Sequence, residues 1–444
     1  MTLDLADIQG LILRGYAMPH ARHIVLTIHN PLPASRFLRA LADGSSPLRV
    51  TSAEPRTDGQ RPDRALNVGL TYAGLRALQL LPEANLEAAF RSFTAFREGA
   101  VARAASLGDV GASAPERWAA SLGRADAVHC VVSLHARSRE SRDECARALR
   151  QSIAQGSGMA ELSFVDGDAL PDGKVHFGYR DGISQPTIEG GPPRPADRQD
   201  TVPSHHFVLQ DDEDAAYYLP QPTELGRNGS FAAFRMLEQD VAGFERLLAD
   251  LGGDPEWWAA KLCGRWRDGT PLVLAPEKPR PELTPTELND FDYRDDPRGL
   301  LCPAGAHIRR TNPRDVRVLG GNVTAHRVVR RGMPYGPAFD PTRPDDGIER
   351  GLLGMFIGAS LEQQFEFLMQ SWINEGGFTG DRAFTHAAKD PICGDQSAPA
   401  DPFVVPGRDG TSRQVTALSS FVTTRGAAYL FLPSLTALRF MGSR

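Results

Sequence analysis

Three short blocks hold residues able to do chemistry together. The run CPAGAHIRRTNPR over 302–314 sets His307 beside Arg309, Arg310 and Arg314, and HRVVRRGMPYG over 326–336 follows with His326, Arg330 and Arg331. Far upstream, FGYRDGISQP over 177–186 carries the carboxylate of Asp181 on a glycine-flanked turn. Imidazole, carboxylate and guanidinium can serve as ligand, general base and fixed positive charge. Arginines clustered around a single histidine point to a site built round a bound anionic group.

The blocks resemble the dye-decolorizing peroxidases. GYRDG at 178–182 matches the GxxDG signature of that family, and AH at 306–307 running into RTNPR looks like its haem-ligand segment. Arg330 stands where the family has its distal arginine. Weaker matches follow in the family's order: DIQG at 7–10, ELGRNGS at 224–230, QFEF at 364–367, DPI at 390–392 and RGAAYLFLPS at 425–434. The likeness spans nearly the whole chain. AG at 304–305 departs from the bulkier residues usual in the family, which alters packing beside the ligand without removing it.

The resemblance implies an α+β fold of two ferredoxin-like units with antiparallel sheets, of the dimeric α+β barrel type. Residues 1–203, carrying Asp181, and 204–444 are the expected units, with one haem b per chain held mainly by the second. It implies a peroxidase that oxidises dyes and phenolics by one-electron steps through a ferryl state. His307 would ligate the iron, Asp181 would move the proton of hydrogen peroxide, and Arg330 would stabilise charge at O–O cleavage. Arg331 takes that role if the strand register differs. Asp390 or Asp395 would orient His307 through its other nitrogen. Arg309, Arg310, Arg314 and His326 are candidates for the propionates, and Leu352, Phe356, Phe365, Leu430 and Phe431 for apolar walls. Tyr335, Trp257, Trp258 and Trp372 are candidates to pass electrons from bulky donors. An aspartate base ionises lower than an imidazole, at about 3.9 against about 6.5, which predicts dye oxidation under acidic conditions. Two other readings compete. A non-catalytic haem carrier or sensor has no need of a distal Asp181–Arg330 pair. A hydrolase using His307 and Asp181 lacks a nucleophile motif such as GxSxG.

A chain of 444 residues has room for one large or two medium domains. The net charge of −6 offers no basic field to nucleic acid. Five scattered cysteines without a CxxC pair indicate neither a zinc site nor a disulfide framework. Acids stand near the N-terminus where a secretory signal has Lys or Arg, and no apolar run approaches the roughly 20 residues of a membrane span. The expectation is a soluble cytoplasmic protein whose partners are hydrogen peroxide and aromatic reductants, not nucleic acid or membrane; a homo-oligomer is left open.

The elements that must position these groups follow from pattern. Strands are expected at residues 20–29, 66–72, 127–136 and 160–165, and helices at 33–42, 71–80 and 141–155, a ferredoxin-like order. A linker runs through residues 190–203. Beyond it come a strand at 230–235, a helix at 237–251, a loop at 276–299, strands at 326–331 and 352–358, and a last strand at 421–435. Ser360 with Gln363 reads as a capping box. Leu361, Phe365, Leu368, Met369 and Trp372 then share one apolar face, either plain core or a wall of the pocket.

Overall fold

The computed structural model describes residues 3–44, 48–55, 62–119, 121–192, 199, 201–211, 217–314, 322–344, 346–377, 388–398, 401–416 and 418–443. Part of the expected linker, residues 193–198 and 200, lies outside them.

Eight strands build one sheet: β1 His20–Ile28, β2 Arg64–Leu70, β3 Cys130–Ala136, β4 Met159–Asp168, β5 Ser230–Gln239, β6 Val329–Tyr335, β7 Gly351–Gly358 and β8 Val422–Leu432. Their spatial order is β4-β1-β3-β2-β8-β5-β7-β6. Each group of four thus repeats one plan, with its fourth strand beside its first and its third between first and second. The groups meet at a single pair, Leu70 with Phe431. The two outer strands also come together: a Cβ on Gly167 of β4 would lie 2.5 Å from Met333 Cγ of β6. This is the ferredoxin-like α+β architecture expected.

The helices that matter below are α1 Pro31–Asp43, α2 Arg139–Ala154, α3 Val241–Asp250, α4 Pro255–Cys263 and α5 His307–Thr311. They are followed by α6, wound as a π-helix over Leu361–Glu366 and Leu368–Ile373, and by α7 Leu435–Met441. Local chemistry sets their ends. Pro31 opens α1 and Gly44, at φ 69°, closes it. Ser138 Oγ accepts the Ser141 N–H to start α2. No helix among the described residues is long and apolar enough to cross a membrane.

Several boundaries differ from expectation because tertiary pairing overrides local pattern. The strand expected at 230–235 runs on to Gln239, since Leu237 pairs with both Leu352 and Thr424. Asp240 then caps α3 by accepting the Gly243 N–H at 2.8 Å. Residues 323–326 form a tight turn, not the start of β6, because His326 Nδ1 meets the Gln363 carbonyl at 2.6 Å and its ring stacks on Phe367. The last strand stops at Leu432, and Ser434 caps α7, which the sequence reading missed. Ser360 does cap α6 through the Gln363 N–H, but Gln364 Oε1, not Gln363, returns the bond to Ser360 N–H at 3.0 Å.

One buried ion pair ties the segment after β2 to the sheet of the second half. Nη1 and Nη2 of Arg235 on β5 both donate to Asp109 at 2.6 Å, and both side chains are 3% exposed. Thr424 Oγ of β8 completes the cluster. Asp109→Ala strands a buried cation and should lower stability by about 3–5 kcal/mol; a chemical denaturation midpoint within error of wild type would contradict this.

Candidate active site

The outer face of β5, β6, β7 and β8 forms one wall of a cavity of about 360 Å³, within the ~300–1,000 Å³ of ligand pockets. His307, Asp181 and Arg330 all line it. They are 126 and 23 residues apart in sequence, so only the fold brings them together.

His307 opens α5, and its side chain is a quarter exposed to the cavity. Its Nδ1 lies 2.9 Å from Asp390 Oδ2, and Asp390 is fully buried. The other oxygen of Asp390 accepts the N–H groups of Ile392 and Cys393, at 2.9 and 3.0 Å. Burial pushes this carboxyl up, but the charge and hydrogen bond of His307, with those backbone donors, hold it below the ordinary carboxylate range. Asp390 is therefore an ionised acceptor that leaves Nε2 as the free edge of the imidazole. Asp395, the competitor, pairs with Lys389 at 3.5 Å.

Alternation along β6 decides between the two arginines. Arg330 and Gly332 face the cavity, whereas Arg331 turns to the opposite side and donates to the carbonyls of Leu11 and Ile12. Arg330 Nη1 lies 3.8 Å from Asp181 Oδ1, and its Nη2 donates to the Ser184 carbonyl at 3.1 Å. The loop carrying Asp181 is stitched to the same strand. Gln185 Oε1 accepts the Arg330 N–H at 3.1 Å and its Nε2 donates to the Arg330 carbonyl at 2.9 Å. On an antiparallel edge strand these two backbone groups point outward together, so one primary amide replaces the missing neighbour. Gln185 lies within the 177–186 block, but no local pattern signals a partner 145 residues away.

The remaining candidates divide. Leu352, Phe356 and Phe365 line the cavity, as do Leu368 and Met369 of the predicted apolar face. Leu430 and Phe431 do not: each is fully buried in core, Phe431 against Phe90, Phe96 and Phe231. Arg309 and Arg310 are also withdrawn from any ligand. Arg309 donates to Asp296 and the Cys302 carbonyl and lies over Tyr293. Arg310 donates to the carbonyls of Gly305, Trp372, Glu375 and Ala388, and burial lowers it to about 10. Both arginines fix the loop around His307. Arg314 lines the cavity while donating to Asn289 and Phe291. His326 sits behind the wall, one residue from Arg327, and its Nε2 has no protein partner among the described residues. Trp372 is buried under His326, and the Tyr335 hydroxyl donates to Glu349 outside the cavity wall.

The residues present fit a flat, anionic, iron-bearing group such as haem. Gly332 and Gly354 pair across β6 and β7 and leave a patch of wall without side chains. A Cβ on Gly332 would stand 3.2 Å from Asp181 Oδ2 and fill that space. Arginines outnumber aspartates in the wall, which favours an anion. A single imidazole with a buried carboxylate behind it would suit the iron of such a group as its protein ligand.

No family model matches the chain. Curated relatives do. Peroxidase 2 of Mycetinis scorodonius is 30% identical, over 98% of this chain and 87% of its own length. The multifunctional dye peroxidase DyP2 of an Amycolatopsis species is 31% identical, over 98% and 95%. Among solved structures, the DyP-type peroxidase of Auricularia auricula-judae superposes over all of both chains with a TM-score of 0.84 at 27% identity. A dye-decolorizing peroxidase in complex with 2,6-dimethoxyphenol gives 0.83 at 28%, covering 98% of this chain and 99% of that one.

Gln185→Ala leaves the Arg330 N–H and C=O without their partner and is expected to cost about 1–3 kcal/mol. Hydrogen exchange at the Arg330 amide should accelerate with it; an amide as protected as in wild type would show that Gln185 does not hold the strand.

Proposed function

Since the chain belongs to the dye-decolorizing peroxidase family, haem-dependent enzymes, we propose that it binds one haem b on His307 and oxidises dyes and phenols with hydrogen peroxide by one-electron steps. The observation that carries this reading is the pairing of Asp181 with Arg330 at 3.8 Å in the cavity that holds His307. A carrier or sensor needs no such pair. Haem, when bound, supplies the iron and the redox equivalents that no side chain has.

The chain's own residues do the rest. His307 offers Nε2 to the iron, and Asp390 keeps the ring oriented and electron-rich. Asp181 takes the proton from one peroxide oxygen and returns it to the other, acting first as base and then as acid. The Arg330 guanidinium stabilises the negative charge growing on the departing oxygen. Its guanidinium is already anchored on the Ser184 carbonyl, so little reorganisation is needed. Leu352, Phe356 and Phe365 keep the site dry. Arg314 and Arg327, in the same wall, supply positive charge for the haem carboxylates. Phenols related to 2,6-dimethoxyphenol, which is bound in a solved relative, are the proposed small reductants. The same reading assigns residues 1–203 and 204–444 to two units, the second holding most of the haem.

Absorption spectra of the purified protein before and after peroxide test the reading; a colourless protein, or a Soret band indifferent to peroxide, would overturn it. Asp181→Asn should slow the reaction with peroxide by about 10²–10⁴-fold and Arg330→Leu by about 10²–10³-fold, both measured by stopped-flow absorbance. Asp390→Asn should weaken haem retention by about 10–100-fold, read by transfer of haem to an apo-globin acceptor. Reaction with peroxide should persist to lower pH than an imidazole base would allow, because an aspartate base ionises lower; a rate that already collapses below about pH 6.5 counts against Asp181.

A further inference from the structure

A buried tyrosine beside the cavity has no part in the chemistry above. Tyr429 of β8 donates its hydroxyl to Glu366 Oε1 of α6 at 2.8 Å, and both residues are at most 2% exposed. Glu366 is held from the other side by Arg103, with Nε 3.0 Å from Oε1 and Nη2 2.6 Å from Oε2. Arg103 reaches on to Glu98, whose carboxylate is at the surface, at 3.1 Å. In the other direction the Tyr429 ring meets Phe365 edge-on, with centroids 6.3 Å apart, and Phe365 lines the cavity. The pair therefore abuts the cavity wall at one end and a surface charge network at the other.

Loss of an electron makes a phenol a strong acid, so a tyrosine is readily oxidised only where a base can take its proton. Tyr179 lines the cavity itself but donates to the Ala259 carbonyl at 2.8 Å, and Tyr16 donates to the amide oxygen of Asn67. Amide oxygens are too weakly basic for this. Tyr429 donates to a carboxylate, and it does so next to the cavity wall. Burial, and after it the charge of Glu366, push the phenol far above its ordinary range, so the proton leaves only with the electron.

We propose that Tyr429 is a one-electron relay and Glu366 its proton acceptor. The ring gives one electron to the peroxide-oxidised haem, the Oη–H bond breaks, and the proton passes to Glu366 Oε1. The products are a neutral phenoxyl radical and a neutral carboxylic acid. An aromatic reductant then returns the electron, and Glu366 returns the proton. Protonating Glu366 leaves Arg103 without its buried countercharge, which Glu98 and solvent offset. Peroxide, the enzyme's own substrate, is the oxidant, so the relay rests on the peroxidase reading.

Freeze-quench electron paramagnetic resonance on the holoenzyme, mixed with one equivalent of peroxide and no reductant, tests it. The wild type should show a tyrosyl radical, and Tyr429→Phe should lose it; a tyrosyl signal that persists in Tyr429→Phe, or none in wild type, overturns the relay. Glu366→Gln keeps the ring and removes the base, so the signal should again be lost; full retention overturns Glu366 as acceptor. In wild type exchanged into D2O, electron–nuclear double resonance should detect an exchangeable hydrogen bonded to Glu366 and hydrogen-bonded to the phenoxyl oxygen, and its absence refutes transfer to Glu366. A wild-type Soret band that ignores peroxide overturns the peroxidase reading and the relay together, whereas a normal Soret response with an unaltered radical in Tyr429→Phe sinks the relay alone.

Discussion

The hydrogen bond between a fully buried carboxylate and a quarter-exposed imidazole is the constraint on which the site depends. Asp390 could not stay ionised in the interior unless both its oxygens were satisfied. The Ile392 and Cys393 N–H groups take one and His307 Nδ1 takes the other. That arrangement fixes three things at once: the tautomer of His307, the plane of its ring, and the direction of Nε2. The cost of burying a charge is offset by these hydrogen bonds, and the pair leaves the His307 ring a single geometry.

Holding that geometry requires the backbone on both sides of the pair to be immobile. Arg310 does this by collecting carbonyls from 305, 372, 375 and 388, so the loop before α5, the end of α6 and the segment before Asp390 converge on one guanidinium. Arg309 does the same for residues 296–302. Loops carry many orphan carbonyls, and a planar cation with five donors can serve several of them. These adjacent arginines thus have a structural use instead of the ligand-binding one expected of them. Arg330 differs because its strand turns it to the open side.

Asp181 and Arg330 are brought together by a different device. β6 is an outer strand, and an outer strand exposes unpaired backbone groups. Gln185 covers those of Arg330 and, in doing so, ties the Asp181 loop to the strand that carries Arg330. The chain segments that carry the carboxylate and the guanidinium are thereby held together by two hydrogen bonds between the Gln185 amide and the Arg330 backbone. Glycine at 332 keeps the space beside Asp181 open.

Much of the strand-and-helix order was legible in the chain, because β-branched runs such as 20–28 and 130–136, and caps such as Ser138 and Ser360, act locally. The identities of His307, Asp181 and Arg330 could be picked out from their motifs, and the sequence by itself determined that these three chemistries are present. Boundaries failed where a distant strand captured a segment with helical pattern, as at residues 237–239, or where a side-chain contact bent one with strand pattern, as at His326. Only the tertiary structure decided between Arg330 and Arg331, since the answer lies in which face of β6 meets the cavity. It likewise decided between Asp390 and Asp395, sent Leu430 and Phe431 to the core, and made Arg309 and Arg310 props for backbone. The physical reason is common to all of these. A side chain's type states what it can donate, accept or exclude, but which partner it meets depends on contacts between segments tens to hundreds of residues apart.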